Sequence, residues 1–447
     1  MQKKILLLGN SFNSKNATGI TLSNLFKGFP KDKILIASTY KDAIISVQDG
    51  YKHIYSIGSK ELKYYFPLNF IKKKYFSGNI FEKINKIPIH KIEPENNNKA
   101  VLNFSISNYL KFFIVNLLEN FLHIIGYYHF ATKINFSINL QNWIKENNPD
   151  IIYTLLSTRS SILLAIEIHK KLNIPIIIHI MDDWPTTIVQ KGLFSKYWRK
   201  KIDKEFRILL SLSYKRLAIS ELMSIEYSQR YSCSWNYYHN PVDCSFWNPK
   251  TKITPVNIEK YRIIYTGRIG LGISQSLVQI ARAVQFLNTE YRFDIEFVIQ
   301  TKDIEHKICK KLKKYSSYVT LQNYTEYNNL PEFLKRSQLL MLPYDFNGRN
   351  FQFIRLSMPT KASEYIATLR PVLYFGPKET ALYYHAMKYK WGHVVVENNY
   401  KTLAKEIMLT LTNKDLVDKY LDNAKNTAMN QFDINKVSIE FQNEILN

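Results

Sequence analysis

Short apolar runs alternate with segments of helical spacing in the first part of the chain. Residues 3–10 (KKILLLGN) and 33–39 (KILIAST) are apolar enough for buried strands, and ITLSNLFKGF between them has helical periodicity. The same alternation returns in residues 150–185, in the order DIIYTLLS, SSILLAIEIHKKLN and IPIIIHIMDDWP. This strand–helix–strand order predicts a parallel sheet with helices on both faces.

A second series of the same kind begins near residue 261. YRIIYTGRIG is a strand that runs into a glycine turn, and apolar strands follow in FDIEFVIQ, YVTLQNYT and QLLMLPY. The helix between YRIIYTGRIG and FDIEFVIQ has one apolar face, made by Leu277, Ile280, Ala281, Val284 and Leu287. The second half of the chain therefore predicts a second parallel sheet with its own helices.

Pro and Asn cluster in residues 240–257, where the periodicity fades, so this stretch is the predicted seam between two domains. We therefore expect an α/β fold of two Rossmann-like, doubly wound domains, residues 1–245 and 246–430. Residues 431–447 are expected to form a C-terminal helix, which could pack back on the N-terminal domain. A chain of 447 residues is also too long for one core.

Residues 60–135 break the alternation. They contain KYYFPLNFIKKKYF and the apolar run YLKFFIVNLLENFLHIIGYYHFA, which carries Lys111, Glu119 and His123 and is therefore a poor bilayer span. Two interpretations remain open for this insertion. It forms either buried helices of an enlarged first domain or an aromatic, basic surface that lies on a membrane.

The charge balance favours anionic partners. The formal net charge is +24, from 61 Lys and Arg against 37 Asp and Glu, which gives a strong positive field. No RNP motif, zinc-finger spacing or basic helix–turn–helix supports nucleic acid, so an anionic membrane surface and phosphate-bearing substrates are the expected partners. The three cysteines lack a CxxC spacing, and the first apolar run is too short for a signal peptide, which predicts a cytoplasmic location.

Several candidate ligand residues come directly after predicted strands, where open α/β sheets bind ligands. Gly19 lies in the loop region after the first strand, and Arg268 follows YRIIYT, where its guanidinium suits a diphosphate. Thr360, Lys361 and Glu364 open the helix in PTKASEYIA, and a helix N-terminus attracts anions. A lysine neutralises phosphate and a carboxylate accepts hydrogen bonds from a ribose diol. Each motif alone also fits an ordinary turn or an exposed helical pair.

Taken in order, six segments resemble the retaining, nucleotide-sugar-dependent glycosyltransferases of the glycosyltransferase 4 type. They are ATGITLSNLFKGFP, IPIIIHIMDDWP, AISELMSIEYSQRY, HNPVD, YTGRIGLG and MPTKASEYIATLRPVLYFGP. The resemblance runs from residue 1 to about 430, except for 60–135. The resemblance implies the GT-B architecture, with two Rossmann-like domains facing across a cleft, a donor held mainly by the second domain, and neither metal nor other cofactor. It assigns Arg268 to the donor diphosphate and Glu364 to the ribose.

The donor side departs from the family pattern at two positions. The first glutamate of the E-x7-E motif falls on Leu356, and Asp345, just after a strand, is the candidate to replace it. The basic residue that follows the family's Gly-Arg pair falls on Ser274, and Lys361 could supply that charge.

The acceptor side departs as well. The histidine that relatives carry after the strand IPIIIH falls on Met181, which is followed by Asp182 and Asp183. His179, Asp182 and Asp183 are the catalytic candidates, because a carboxylate here could take a proton from an acceptor hydroxyl. The alternative is that Asp182 or Asp183 caps the helix that follows Pro185. Adjacent aspartates point apart on a strand, which argues against a metal site.

These inferences predict a metal-independent glycosyltransferase at the inner face of the plasma membrane. It would move a sugar from a nucleoside-diphosphate sugar to a lipid-linked or polysaccharide acceptor in surface glycan assembly, such as lipopolysaccharide or capsule. Two alternatives remain: a nucleotide-sugar epimerase of the same architecture, and a non-catalytic partner subunit with the same fold. The missing glutamate at position 356 favours the partner subunit.

Overall fold

The computed structural model describes residues 3–13, 17–84, 106–156, 158–188, 192–248, 260–270, 272–304, 306–348 and 351–447. Two compact units make up the chain. The first comprises Met1–Leu217, Tyr231–Trp235 and Glu444–Asn447, and the second comprises Ala218–Arg230 and Asn236–Asn443.

The first unit is built on a mostly parallel sheet. Its strands are β1 (Ile5–Leu8), β2 (Ile34–Thr39), β3 (His53–Ile57), β4 (Leu62–Tyr64), β5 (Gly78–Asn79), β6 (Thr132–Ile134), β7 (Ile151–Leu155), β8 (Ile176–Ile180) and β9 (Ser213–Ala218). Its helices are α1 (Ala17–Leu25), α2 (Tyr40–Gln48), α3 (Leu68–Ile71), α4 (Ile80–Ile84), α5 (Ile106–Ile124), α6 (Ile138–Asn147), α7 (Arg159–Leu172), α8 (Trp184–Thr187) and α9 (Ser195–Leu212). The main sheet includes the order β9-β8-β7-β1-β2-β3-β5, and β4 pairs with β6 in a small antiparallel sheet.

The second unit carries the remaining elements, except for the last residue of α10 and the last three residues of α20, which belong to the first unit. Its strands are β10 (Asn236–Tyr237), β11 (Tyr261–Thr266), β12 (Ile295–Gln300), β13 (Val319–Gln322), β14 (Leu339–Pro343), β15 (Val372–Phe375) and β16 (His393–Val395). Its helices are α10 (Glu221–Tyr231), α11 (Cys244–Trp247), α12 (Ser274–Glu290), α13 (Lys307–Leu312), α14 (Leu330–Lys335), α15 (Phe351–Arg355), α16 (Thr360–Ala367), α17 (Ala381–Tyr389), α18 (Tyr400–Thr412), α19 (Lys414–Thr427) and α20 (Ile434–Leu446).

The six-stranded sheet of the second unit has the order β13-β12-β11-β14-β15-β16, with every pair parallel. Counted from β11, this is the 3-2-1-4-5-6 order of a Rossmann fold, in which the strand order reverses between β11 and β14. In the first unit the order reverses between β1 and β7. We call these two places the switch points, because ligands of open α/β sheets bind there, beyond the carboxyl ends of the strands.

Hydrophobic burial explains why these strands lie inside. All residues of β1, β7 and β8 are buried, as expected for parallel strands that helices cover on both faces. Helix α12 buries the apolar face that the sequence predicts, Leu277, Ile280, Ala281, Val284 and Leu287. The prediction of two α/β domains with parallel sheets is confirmed. The predicted limits at residues 245 and 430 stay predictions, since much of the seam at 240–257 lies outside the described residues.

The insertion at 60–135 has both a buried and an exposed side in the part that is described, which lacks residues 85–105. A small cluster of Leu68, Leu122 and Ala131 packs α3 against α5. In contrast, Phe66 and Phe70 are 69 % and 78 % exposed. Other exposed apolar side chains on and beside α5 are Leu117, Phe121, Ile124, Tyr127, Phe130, Leu193, Phe194 and Tyr197. Among the helices described, none is long and apolar enough to cross a membrane.

Candidate functional site

The second unit's switch point is formed by the loops after β11 and β14 and by the start of α16. Gly267 follows β11 with a φ of +134°, a conformation that side chains with a Cβ rarely adopt. A Cβ on Gly267 would lie only 2.5 Å from Nζ of Lys361. Glycine is therefore required here both for its backbone angle and for the space that the lysine occupies.

Lys361 is held by an aromatic side chain rather than by a carboxylate. Its Nζ donates a hydrogen bond to the hydroxyl of Tyr265 at 2.9 Å and lies 4.3 Å from the centre of that ring. The Tyr265 hydroxyl in turn donates to the carbonyl oxygen of Arg268 at 2.6 Å. Burial lowers the pKa of Lys361 to about 8. The positive charge of Arg268 lowers this pKa further, whereas the negative charge of Glu364 raises it. The ammonium is thus poorly hydrated, and an anion bound here would stabilise it.

Glu364 is only 8 % exposed, and burial raises its pKa to about 7, although the charge of Lys361 opposes this. The two residues are three apart on α16, so both side chains lie on one side of the helix. A half-buried cation beside a buried carboxyl group, both with perturbed pKa values, is typical of a functional site. The arrangement can neutralise a polyanion and accept hydroxyl protons from the same ligand.

Thr360 is the first residue of α16, after Pro359, which makes no side-chain cap hydrogen bond. The first-turn N–H groups and the helix dipole therefore favour an anion at this end. Arg268 is exposed in the loop after β11. The structure thus brings Arg268, Thr360, Lys361 and Glu364 together at the switch point of the second unit.

Asp345 follows β14, as the sequence predicts, but it makes contacts to a neighbouring helix. Its Oδ1 accepts a hydrogen bond from the backbone N–H of Ser276 at 2.8 Å, in the first turn of α12. Its own N–H donates to the carbonyl oxygen of Gly272 at 2.7 Å. Burial raises its pKa. This carboxylate therefore caps α12, and a role toward a sugar stays a prediction.

Leu356 occupies the position where the family pattern has its first glutamate. Its side chain is fully buried, and its carbonyl oxygen accepts a hydrogen bond from the Ser220 hydroxyl at 2.7 Å. Leu356 is therefore part of the packing that supports the start of α16.

Sequence reasoning missed two tyrosines near Glu364. Tyr324 and Tyr327 follow β13, and burial together with the Glu364 charge raises the pKa of both hydroxyl groups. The ring of Tyr327 stacks on Phe246 with centroids 5.4 Å apart and meets Trp247 edge-on. The only signal in the sequence was a pair of tyrosines shortly after a predicted strand, which is too common to single out.

The catalytic candidates of the first unit lie at the end of β8. His179 is fully buried inside the strand, and its Nδ1 is 2.6 Å from the hydroxyl of Tyr153. Asp182 is exposed, whereas Asp183 is 2 % exposed. Asp183 is the N-cap residue of α8, but its side chain makes no cap hydrogen bond. Of the three, only Asp182 is open to solvent.

Gly19 lies in the first turn of α1. A Cβ there would lie 2.3 Å from Nδ2 of Asn13, so the space beside this glycine is filled by a side chain of the preceding loop. Packing within the loop accounts for the glycine, and its role toward a ligand stays a prediction. Residues 14–16 of this loop are outside the described residues.

A cavity of about 450 Å³ lies at the first unit's switch point. Its lining includes Leu8 at the end of β1, Gly9 just after it and Leu155 at the end of β7, and Arg159 enters from the start of α7. The guanidinium of Arg159 is fixed by two hydrogen bonds to Glu205, at 2.6 and 2.5 Å. Arg159 was not predicted as a site residue, because its place at the cavity depends on the strand order.

Comparisons with known proteins find relatives by structure only. No family model matches the chain, and no curated protein matches its sequence. HepE of Anabaena, solved with UDP, is 13 % identical over 99 % of both chains with a TM-score of 0.59. A glycosyltransferase from Rickettsia africae is 14 % identical over 100 % of this chain and 99 % of its own, with a TM-score of 0.60. The trehalose-6-phosphate synthase OtsA is 12 % identical over 99 % of this chain and 98 % of its own, with a TM-score of 0.59.

These three structures are glycosyltransferases of the GT-B architecture. At such low identity the likeness establishes the fold of this chain, two domains each with a parallel sheet, over nearly its whole length.

Proposed function

We propose that this protein is a glycosyltransferase that takes its sugar from a nucleoside-diphosphate donor bound at the switch point of the second unit. The observation that carries the proposal is the pair of half-buried Lys361 and buried Glu364, set against Gly267 at the carboxyl end of β11. HepE, which shares the fold, was crystallised with UDP and with UDP-glucose. The pyrophosphate of such a donor would meet the positive charge of Lys361, and its ribose diol would meet the carboxylate of Glu364.

The residues would divide the donor between them. Arg268 and Lys361 would neutralise the diphosphate, and their charge would stabilise the leaving group as the bond to the sugar breaks. Glu364 would accept hydrogen bonds from the ribose hydroxyls, and Tyr324 and Tyr327 would line the side of the base. By the resemblance described above, the reaction would retain the anomeric configuration and use no metal.

Asp182 is our candidate for the residue that takes the proton from the acceptor hydroxyl. It is exposed beyond β8, whereas His179 and Asp183 are buried. Asp182→Asn should leave the melting temperature and nucleotide binding nearly unchanged while transfer falls about a hundredfold, the range for loss of a general base. Asp183→Asn is the matched control. Wild-type transfer by both variants would remove this loop from the mechanism.

The acceptor would be a lipid-linked or polysaccharide glycan at the cytoplasmic face of the membrane, as in assembly of lipopolysaccharide or capsule. The support is physical: the net charge of +24 and the exposed aromatic side chains of the insertion, such as Phe66 and Phe70, suit peripheral contact with anionic lipid.

A panel of nucleoside diphosphates and sugar nucleotides tests the donor site. A matching nucleotide should raise the melting temperature of the full chain, because a ligand that binds only the folded state stabilises it. Glu364→Gln should weaken the ribonucleotide more than its 2′-deoxy analogue. Equal stabilisation by every anion in the panel, inorganic pyrophosphate included, would argue against a nucleotide site.

A non-catalytic subunit is the second candidate, because the buried Leu356 replaces the carboxylate that the family pattern places there. Such a subunit would bind the nucleotide without turnover. Donor hydrolysis or transfer by purified protein excludes it, and product analysis of the same reaction separates transfer from epimerisation.

A further inference from the structure

A second, larger cavity of about 780 Å³ lies in the first unit, between β2, β3, β4 and the segment after β4. We call it the Lys–Tyr pocket. Its charged and aromatic lining residues are Lys41, Lys63, Lys72, Lys73, Lys74, Tyr40, Tyr64, Tyr65, Phe70 and Tyr75. Its volume is within the range of pockets that enclose small organic ligands.

The lysines of this pocket are only partly neutralised. Lys72 pairs with Glu119 at 2.8 Å. In the described part of the chain, no salt bridge reaches Lys41, Lys63, Lys73 or Lys74, and the pocket lining contains no acidic residue. Like charges that line one cavity repel one another, so an anion that bound among them would be stabilised by several of them. Lysines act as mobile point charges, which suits a phosphate group.

The aromatic rings give the pocket a second chemical character. Nζ of Lys72 lies 6.0 Å from the centre of the Tyr64 ring, and Nζ of Lys73 lies 5.9 Å from that of Tyr75. Phe70 is 78 % exposed and contacts Phe66, which is 69 % exposed. A ligand held here would therefore meet cations and exposed apolar rings together. That combination fits a phosphate joined to an apolar or sugar group better than a free inorganic anion.

The Lys–Tyr pocket also adjoins the smaller cavity at the first unit's switch point. Thr39, Ile57, Leu62, Lys63 and Tyr64 line both. A ligand whose phosphate lay among the lysines could therefore extend along this shared wall toward the carboxyl ends of β1 and β7. This continuity favours a compact ligand over a nucleic acid strand, which would need a basic groove that runs on past the cavity.

We infer that the Lys–Tyr pocket binds the phosphate or diphosphate group of the acceptor, so that the acceptor is a phosphate ester rather than a neutral glycan. This inference rests on the proposed function. The phosphate could come from a lipid diphosphate or from a soluble sugar phosphate, which share the chemistry that the pocket recognises.

Calorimetric titration of the full chain tests the inference. Geranyl diphosphate represents the lipid source, glucose 1-phosphate the sugar source, and geraniol the apolar group alone. The titrations are run with saturating UDP and again in a Lys361→Met background, so that binding at the donor site does not contribute. We expect at least one phosphate ester to bind and geraniol to bind far more weakly. The tighter of the two esters identifies the source.

The matched variants are Lys73→Gln/Lys74→Gln in the pocket and Lys200→Gln/Lys204→Gln on α9, which remove the same charge from exposed positions of the same unit. The pocket variant should bind the ester at least about tenfold more weakly, or roughly 1.4 kcal/mol. The α9 variant should bind it normally. Melting temperatures of both variants confirm that they fold.

Several results would overturn the inference: equal losses in the two variants, binding of neither ester, equal binding of geraniol, or displacement of the ester by a short oligo-dT strand. Recruitment to anionic vesicles without binding of any soluble ester would show a membrane contact instead of a site. UDP titration of the same proteins keeps the two proposals apart. If the wild-type chain binds UDP but neither ester, only the pocket is rejected, and if it binds an ester but not UDP, only the donor site is rejected.

Discussion

The two units hold positive charge in opposite ways, at the switch point of the second unit and in the Lys–Tyr pocket of the first, which adjoins the cavity at that unit's switch point. In the second unit, the fold encloses Lys361 and Glu364. Contacts with Gly267 and Tyr265 fix the position of the Lys361 ammonium. In the first unit, Lys73 and Lys74 of the Lys–Tyr pocket are exposed beside aromatic rings. Enclosed charge selects one ligand geometry, whereas exposed charge attracts a class of ligands.

This difference matches the two substrates of a transferase. A nucleotide donor has a fixed pyrophosphate and ribose, so buried groups at fixed positions can recognise it. An acceptor is large and extends beyond the protein, so an open pocket with cations and rings can hold its charged end without enclosing the rest. The four predictions below test this contrast, from the largest expected effect to the smallest.

Lys361→Met should cause the largest loss. It keeps much of the side-chain volume over Tyr265 but removes the ammonium, and hydrogen bonds to charged groups contribute about 1.5–3 kcal/mol. UDP affinity measured by titration should therefore fall roughly tenfold to more than a hundredfold. Lys405→Met, on the exposed side of α18, is the control and should bind UDP normally. Unchanged affinity in Lys361→Met would place the diphosphate elsewhere.

Gly267→Ala should disturb the same ammonium from the other side. The new Cβ would lie 2.5 Å from Nζ of Lys361, at a φ of +134°. Such strain costs about 1–3 kcal/mol, which should appear as a lower melting temperature, weaker UDP binding or both. Gly270→Ala is a close control in the same loop, because nothing lies within 4 Å of its Cβ position. Equal behaviour of the two variants would show that Gly267 and Lys361 are not coupled.

Proton uptake on nucleotide binding should depend on pH. Burial holds the pKa of free Lys361 at about 8, and a bound diphosphate must raise it, since an anion favours the ammonium. About one unit above this pKa, UDP binding should take up close to one proton, and about one unit below it far less. Calorimetry in buffers of different ionisation enthalpy measures this. Lys361→Met should abolish the uptake at the higher pH, and if it persists there another group is responsible.

Raising the salt concentration should weaken ligand binding at the two sites to different extents, and this is the smallest of the four expected effects. Exposed charges are screened as the Debye length falls from about 30 Å to about 8 Å between low and physiological ionic strength, and enclosed charges are screened less. Binding of geranyl diphosphate to the Lys–Tyr pocket should therefore weaken more than UDP binding over this range. An equal salt dependence for both ligands would contradict the contrast between the units.

Much of the proposed donor site could be predicted from the sequence because it depends on local order. Arg268 directly follows a strand, and Lys361 and Glu364 open a helix, so their places at element ends can be inferred from hydrophobic periodicity alone. The sequence also showed that Leu356 replaces the first glutamate of the family pattern, and the structure shows its side chain fully buried. A carboxylate at Asp345 was correctly placed after β14, but its bond to the first turn of α12 was not foreseen.

What the sequence determined by itself is the set of elements and their buried faces, such as the continuous apolar strand of β8 and the apolar stripe of α12. Tertiary structure decided which loops meet. The contact of Lys361 with Gly267, the tyrosines beside Glu364 and the cavity at β1 and β7 all follow from strand order. The physical reason is that periodicity records whether a residue is buried within its own element, whereas neighbours from distant segments are set by how the strands pair.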